Sequence, residues 1–125
     1  MSVSRRQARR QALFLLYQWD LSGQEIGSQY AGEIDPWARG VAEAVSGRAG
    51  DLDTKITAAS EGWTADRLGT VERSALRVAV HELETGEVPA EVAINEAVAF
   101  TKRYASEDGA RLVNGILGRI QREVA

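Results

Sequence analysis

Cysteine is absent from this chain of 125 residues, which excludes a disulfide framework, a thiolate nucleophile and any thiolate-held zinc or iron–sulfur centre. A single histidine, His81, leaves no cluster for a metal, and any serine–histidine pair would have to use it. No apolar run approaches the roughly 20 residues that cross a bilayer. The start, Met1 to Arg6, leads into a polar segment rather than the apolar stretch of a secretory signal, so a cytoplasmic location is expected. No glycine-rich phosphate loop or nucleophile elbow occurs, and neither an enzyme nor a bound cofactor is expected. What is present, 44% hydrophobic and 26% charged residues, suits one compact domain over residues 1–125.

The net charge of −3 hides an uneven distribution. Residues 1–19 carry Arg5, Arg6, Arg9 and Arg10 and no acid, a local charge of +4. Residues 99–125 carry +2, with Lys102, Arg103, Arg111, Arg119 and Arg122 against Glu107, Asp108 and Glu123. The stretch 20–98 must then hold −9 for the total to be −3. Two basic ends on an acidic middle make the overall sum a poor guide to nucleic-acid binding.

Only two prolines interrupt the chain, and apolar residues recur at helical rather than strand spacing. Ser4 to Gln7 has the capping-box form, and Ala8, Ala12, Leu15, Leu16 and Trp19 make a buried stripe behind it. Residues 22–34 read as a loop or short turn. Asp35-Pro36 opens a second helix to about Gly47, burying Trp37, Val41, Ala44 and Val45. Asp51 or Asp53 is expected to cap a third, with Leu52, Ile56 and Ala59 inward and Gly62 as its stop. Thr64 opens a short turn, and Thr70 is expected to cap a long helix with Val71, Ala75, Val78, Ala79 and Leu83 inward. Past Gly86, Pro89 leads into a helix with Val92, Ile94, Ala97, Val98 and Phe100. Asp108 is expected to cap a last helix carrying Leu112, Val113, Ile116, Leu117, Ile120 and Val124. The expectation is an all-α chain of six or seven helices.

The first helix has a second face. At about 100° per residue, Arg6, Arg10, Leu13 and Tyr17 form a stripe away from the buried one, flanked by Arg5 and Arg9, so the guanidinium groups should face solvent. Like charges at i, i+4 repel, and cations at the positive end of a helix dipole add to that penalty. A polyanion would reverse both effects, and Tyr17 offers a face on which an unpaired base can stack. The same pattern also fits a merely solvated arginine face.

The strings Gly69 to Leu83, Val92 to Val98 (VAINEAV) and Leu112 to Leu117 (LVNGIL), with the Arg5–Leu13 start and Tyr17, resemble the NusB family of bacterial transcription antitermination proteins over nearly the whole chain. The resemblance implies an all-helical fold of two small bundles and no catalytic activity. It also implies binding to boxA-type single-stranded RNA of nascent ribosomal transcripts together with NusE, a small-subunit ribosomal protein, within the RNA polymerase elongation complex and its other Nus factors. Position by position, Arg5, Arg6, Arg9, Arg10 and Tyr17 match the family's RNA-facing helix, and Asp108 and Leu112 match positions bordering the RNA. Lys102 and Arg111, from the C-terminal basic group, join this RNA-binding set. Asp66 and Glu72 fall where the family presents acidic groups near the NusE and RNA surface. Some relatives carry an aromatic ring where this chain has Leu112, which removes a stacking platform of about 1–3 kcal/mol per base.

Two other readings stay open. One is the helical accessory domain of ribosomal RNA cytosine methyltransferases, which would need a long cofactor-binding domain after Ala125. The other is a protein-only homodimeric adaptor that hides Arg6, Arg10 and Tyr17 in its own interface. Among lesser features, His81-Glu82 lacks the second histidine of a zinc-protease helix. Glu82, Glu84 and Glu87 read as a solvated acidic face. Asn95 and Asn114 read as buried hydrogen-bonding groups, Gly115 as a close-packing position, and Trp19, Trp37 and Trp63 as packing residues.

Overall fold

A computed structural model describes residues 3–124, the side chain of Val124 lying outside the described residues. The fold is all-α: α1 (Arg5–Ser22), α2 (Pro36–Gly47), α3 (Ala49–Ala59), a one-turn 3-10 helix (Ala65–Arg67), α4 (Thr70–Thr85), α5 (Ala90–Tyr104) and α6 (Glu107–Val124). The chain divides into two compact units, Met1–Arg48 and Ala49–Ala125.

In the first unit α1 packs on α2. The capping box forms as read: the Gln7 amide donates to the Ser4 hydroxyl at 3.1 Å, and the Ser4 amide donates to Gln7 Oε1 at 3.0 Å. Gly23, at φ 71°, ends α1 in the left-handed region, its N–H donating to Trp19 O. Pro36 opens α2 behind Asp35, whose carboxylate accepts from the Ala38 amide. Ala8, Ala12 and Ala38 form a buried cluster with Trp37 and Val41 against it. Ala38, Ala42 and Val45 are the buried residues of α2, and Ala44 is exposed, against expectation. The seam follows Ala38 rather than Trp37, which turns the register and leaves Ala44 outside.

The loop between α1 and α2 is tied down by side chains of α1. Gln11 Nε2 donates to the Tyr30 hydroxyl and to the Glu33 carbonyl, both at 3.0 Å, while its Oε1 accepts from the Asp35 amide at 2.7 Å. Gln18 Nε2 donates to the Gln29 carbonyl. A segment of little sequence signal is therefore fixed by two glutamines.

In the second unit α5 packs on α4 and α6, and α3 packs on both α4 and α6. Leu52, Ile56, Leu76, Val80, Val113 and Leu117 are fully buried, so truncating one of the leucines or Ile56 to alanine would cost about 2–5 kcal/mol. Arg77, buried on α4, grips Asp53 of α3 with two hydrogen bonds of 2.8 and 2.7 Å. Arg119 of α6 donates to the Ala59 carbonyl at the end of α3 and pairs with Glu61 at 3.2 Å.

Three helix starts depart from the sequence expectation. α3 begins at Ala49, which leaves Asp51 in its first turn rather than at a cap. Gly69 caps α4, and Thr70 is already helical. Ser106 takes the role expected of Asp108: its hydroxyl accepts from the Gly109 amide at 2.9 Å, and Asp108 lies in the first turn of α6. Asp51 and Asp108 thus sit inside the first turns of their helices, where the dipole still favours an anion. Glu82 departs too, being buried on α4 rather than part of a solvated acidic face. Val71 and Leu83, expected inward, are half-buried.

Candidate nucleic-acid interface

The side chains of α1 separate into two groups. Ala8, Arg9, Ala12, Leu13, Leu15 and Leu16 are buried, which at about 100° per residue spans an arc of roughly 160°. Arg6 and Arg10 lie outside this arc and are exposed, and Tyr17 is half-buried beside them. Leu13, expected on the solvent stripe, falls at the edge of the buried arc and is only 3% exposed.

Arg9 corrects the sequence reading more sharply. It is only 4% exposed, and its guanidinium lies 5.8 Å from the Trp37 ring centroid. Arg5, exposed at the first turn, stacks closer, at 4.2 Å from the same ring. Trp37, half-buried, therefore anchors two of the four arginines by cation–π contact. Two cations are held by an aromatic ring, and two face outward. No local pattern links Arg5 or Arg9 to a tryptophan in another helix, which is why that ring reads from the sequence only as a packing residue.

The second unit carries the remaining expected residues. Lys102 and Glu107 form an exposed pair at 3.7 Å, and Arg111 pairs with Asp108 one turn back on α6. Such solvated pairs contribute little to stability, so these cations remain available to a stronger anion. Leu112 is half-buried, between exposed Arg111 and buried Val113. Asp66 is exposed on the 3-10 helix, where a hydrogen bond from the Thr64 side chain holds its carboxyl below the usual range. The half-buried Glu72 carboxylate lies against Gly69 and Gly109, so that a Cβ at Gly109 would stand 3.0 Å from its Oε2. That places an acid beside the opening turns of α6, at the positive end of its dipole.

Several residues read as structural are exposed instead. Asn95 and Asn114 are exposed and line one groove with Gly115, Arg119 and Arg122. Gly115 has nothing near a would-be Cβ, so close helix packing does not explain it. Trp63 is 51% exposed, on the segment after α3. Asn95, Asn114 and Gly115 each sit about 100° around their helix from a buried neighbour, a rotation that a string of apolar letters does not reveal.

Residues 6–122 match the profile of the NusB family. The chain belongs to the NusB family. Among its relatives, the transcription antitermination protein NusB of Rubrobacter xylanophilus is 40% identical over 122 residues, covering 92% of this chain and 88% of that protein. A solved structure of NusB from T. maritima is 31% identical with a TM-score of 0.87, covering 98% of this chain and 94% of that one. A crystal structure of the antitermination factors NusB and NusE in complex with double-stranded RNA is 28% identical with a TM-score of 0.82, covering 95% and 96%. NusB relatives bear the name of a transcription factor rather than of an enzyme. Among the described residues no group of three or more His, Cys, Asp or Glu is placed to hold a metal ion, and no helix is long and apolar enough to cross a membrane.

Proposed function

We propose that this protein is a non-enzymatic, cytoplasmic antitermination factor that binds boxA-type single-stranded RNA of nascent ribosomal transcripts and docks NusE. The observation that carries the reading is the outward pair Arg6 and Arg10 on α1, beside Tyr17 and with Arg5 stacked on Trp37, in a chain of this family. Arginines neutralise phosphates and release counterions, while Tyr17 gives a base a stacking face. Lys102, Asp108, Arg111 and Leu112 form a second set of RNA contacts, and Asp66 and Glu72 meet basic groups of NusE. Through NusE the assembly joins the RNA polymerase elongation complex.

An RNA titration with and without NusE tests this reading. RNA should bind in a salt-dependent way and more tightly when NusE is present. Absence of binding in both arms would overturn it. Protection of Arg6, Arg10 and Tyr17 that grows with protein concentration alone would favour a homodimer that hides this face.

A further inference from the structure

Between the first half of α1 and the 30–36 segment lies an open cavity of about 430 Å³ in the first unit. Phe14, Tyr30 and Ile34 supply its apolar walls, and Gln7, Arg10 and Glu33 its polar ones. We propose that this cavity is a nucleobase pocket, taking one unpaired base of the strand whose phosphates meet Arg6 and Arg10. The proposal rests on the RNA-binding reading and adds to it a site away from the Arg5–Trp37 contact.

Three observations point to a base. The walls are preformed: the three hydrogen bonds of Gln11 fix Tyr30, Glu33 and Asp35, so little loop entropy is lost on binding. The polar groups retain spare capacity. Tyr30 accepts from Gln11 and so keeps its own O–H to donate. Gln7 Oε1 accepts from the Ser4 amide, which leaves its NH₂ for the cavity. The charge is continuous, because Arg10 both lines the cavity and belongs to the arginine row.

The donor inventory sets the preference. Tyr30 O–H, Gln7 NH₂ and the Arg10 guanidinium are donors, and the Glu33 and Asp35 carboxylates, the latter already accepting from the Ala38 amide, are acceptors that suit the ring N–H of a keto base. A base edge bearing carbonyl acceptors, guanine or uracil, meets these groups better than adenine, which has no carbonyl.

The test uses the intact protein and a boxA-type RNA in which each base in turn is replaced by an abasic residue. One position should weaken binding by about 5- to 150-fold, the range of a single lost stack. At that position guanine or uracil should bind more tightly than adenine. Tyr30→Phe keeps the ring and leaves Gln11 bonded to Glu33, so it should reduce the keto-base preference while the salt slope stays unchanged. Should circular dichroism show Tyr30→Phe unfolded, Gln7→Met removes another donor and serves the same comparison. If intact RNA binds but no abasic position responds to either variant, the pocket is overturned and the RNA reading stands. If intact RNA does not bind at all, the RNA reading itself has failed. A cavity filled instead by a NusE side chain would show as an effect of Tyr30→Phe on NusE affinity alone, which also overturns the proposal.

Discussion

The Arg5 guanidinium carbon lies 4.2 Å above the Trp37 ring, so the first cation of α1 is fixed by the first turn of α2. Arg9, 5.8 Å from the same ring, completes a stack that joins the two helices of the first unit. The tryptophan thereby links helix packing to the presentation of charge.

Trp37→Leu separates those two roles. Losing ring area and both cation–π contacts should destabilise the protein by about 2–3 kcal/mol, read as a lower melting temperature. RNA affinity should fall only a few-fold, because Arg5 keeps its charge and loses only its fixed position. A salt slope equal to that of the parent would accompany the loss. A slope lowered by a full phosphate contact would show that Trp37 itself shapes the ion-pairing surface.

Exposure divides the arginines into two kinds, and salt dependence should read the division. Each outward arginine that neutralises one phosphate of single-stranded RNA contributes about 0.7 to the slope of log affinity against log salt. Arg6→Ala with Arg10→Ala should therefore lower the slope by about 1.4 and leave the melting temperature nearly unchanged. Arg9→Ala should do the reverse, costing about 1–3 kcal/mol of stability through the packing it loses, with little change in slope. If Arg9→Ala lowered the slope as much as Arg6→Ala, its burial in the free protein would not persist in the complex.

The helices were legible in the sequence because their signals are local. Ser4-to-Gln7, Asp35-Pro36 and Gly86 act within one turn, and the structure has all three where the pattern places them. The family strings carried the identity. What escaped was set by contacts distant in sequence: Arg9 under Trp37, Gln11 clasping the loop at 30–35, and Asn95 with Asn114 on one exposed groove. Caps were misplaced for a different reason. Asp108 and Ser106 both suit a helix start, and only the backbone path shows that Ser106 reaches the Gly109 amide.

Titration near neutrality should change stability little through the two shifted groups. The Asp66 carboxyl is lowered from 3.8, chiefly by the Thr64 hydrogen bond, so its contribution is present above the unfolded value and is lost as pH falls through the folded one. The Lys55 ammonium is raised from 10.5, chiefly by its hydrogen bond to Glu84. Its contribution is complete below that value and is lost only as pH rises through the folded one. Stability from these groups should be flat between about pH 5 and 9. Thr64→Val should move the Asp66 titration upward, as carboxyl NMR shifts would record. An unmoved titration would assign the shift to another neighbour.

Gly109 supplies the last prediction, because two opposing terms meet there. Alanine in place of a helical glycine favours the helix by about 1 kcal/mol. Here the added Cβ would meet Glu72 Oε2 at 3.0 Å, the Ser106 hydroxyl at 3.2 Å and the Thr101 methyl at 3.2 Å. Glu72 can swing aside, but Thr101 is fully buried with its hydroxyl held on the Ala97 carbonyl at 2.9 Å, and Ser106 is committed to the Gly109 amide. Two of the three neighbours cannot yield without losing a hydrogen bond, and overpacking of this kind costs about 1–3 kcal/mol. Gly109→Ala should therefore be net destabilising by about 1 kcal/mol, and Thr101→Ser, which removes the methyl, should recover part of that loss in a double-mutant cycle. The displaced Glu72 carboxylate should also weaken NusE binding while leaving the salt slope for RNA unchanged. A Gly109→Ala protein more stable than the parent would mean that helix propensity outweighs the crowding, and that Thr101 and Ser106 can shift to admit the methyl.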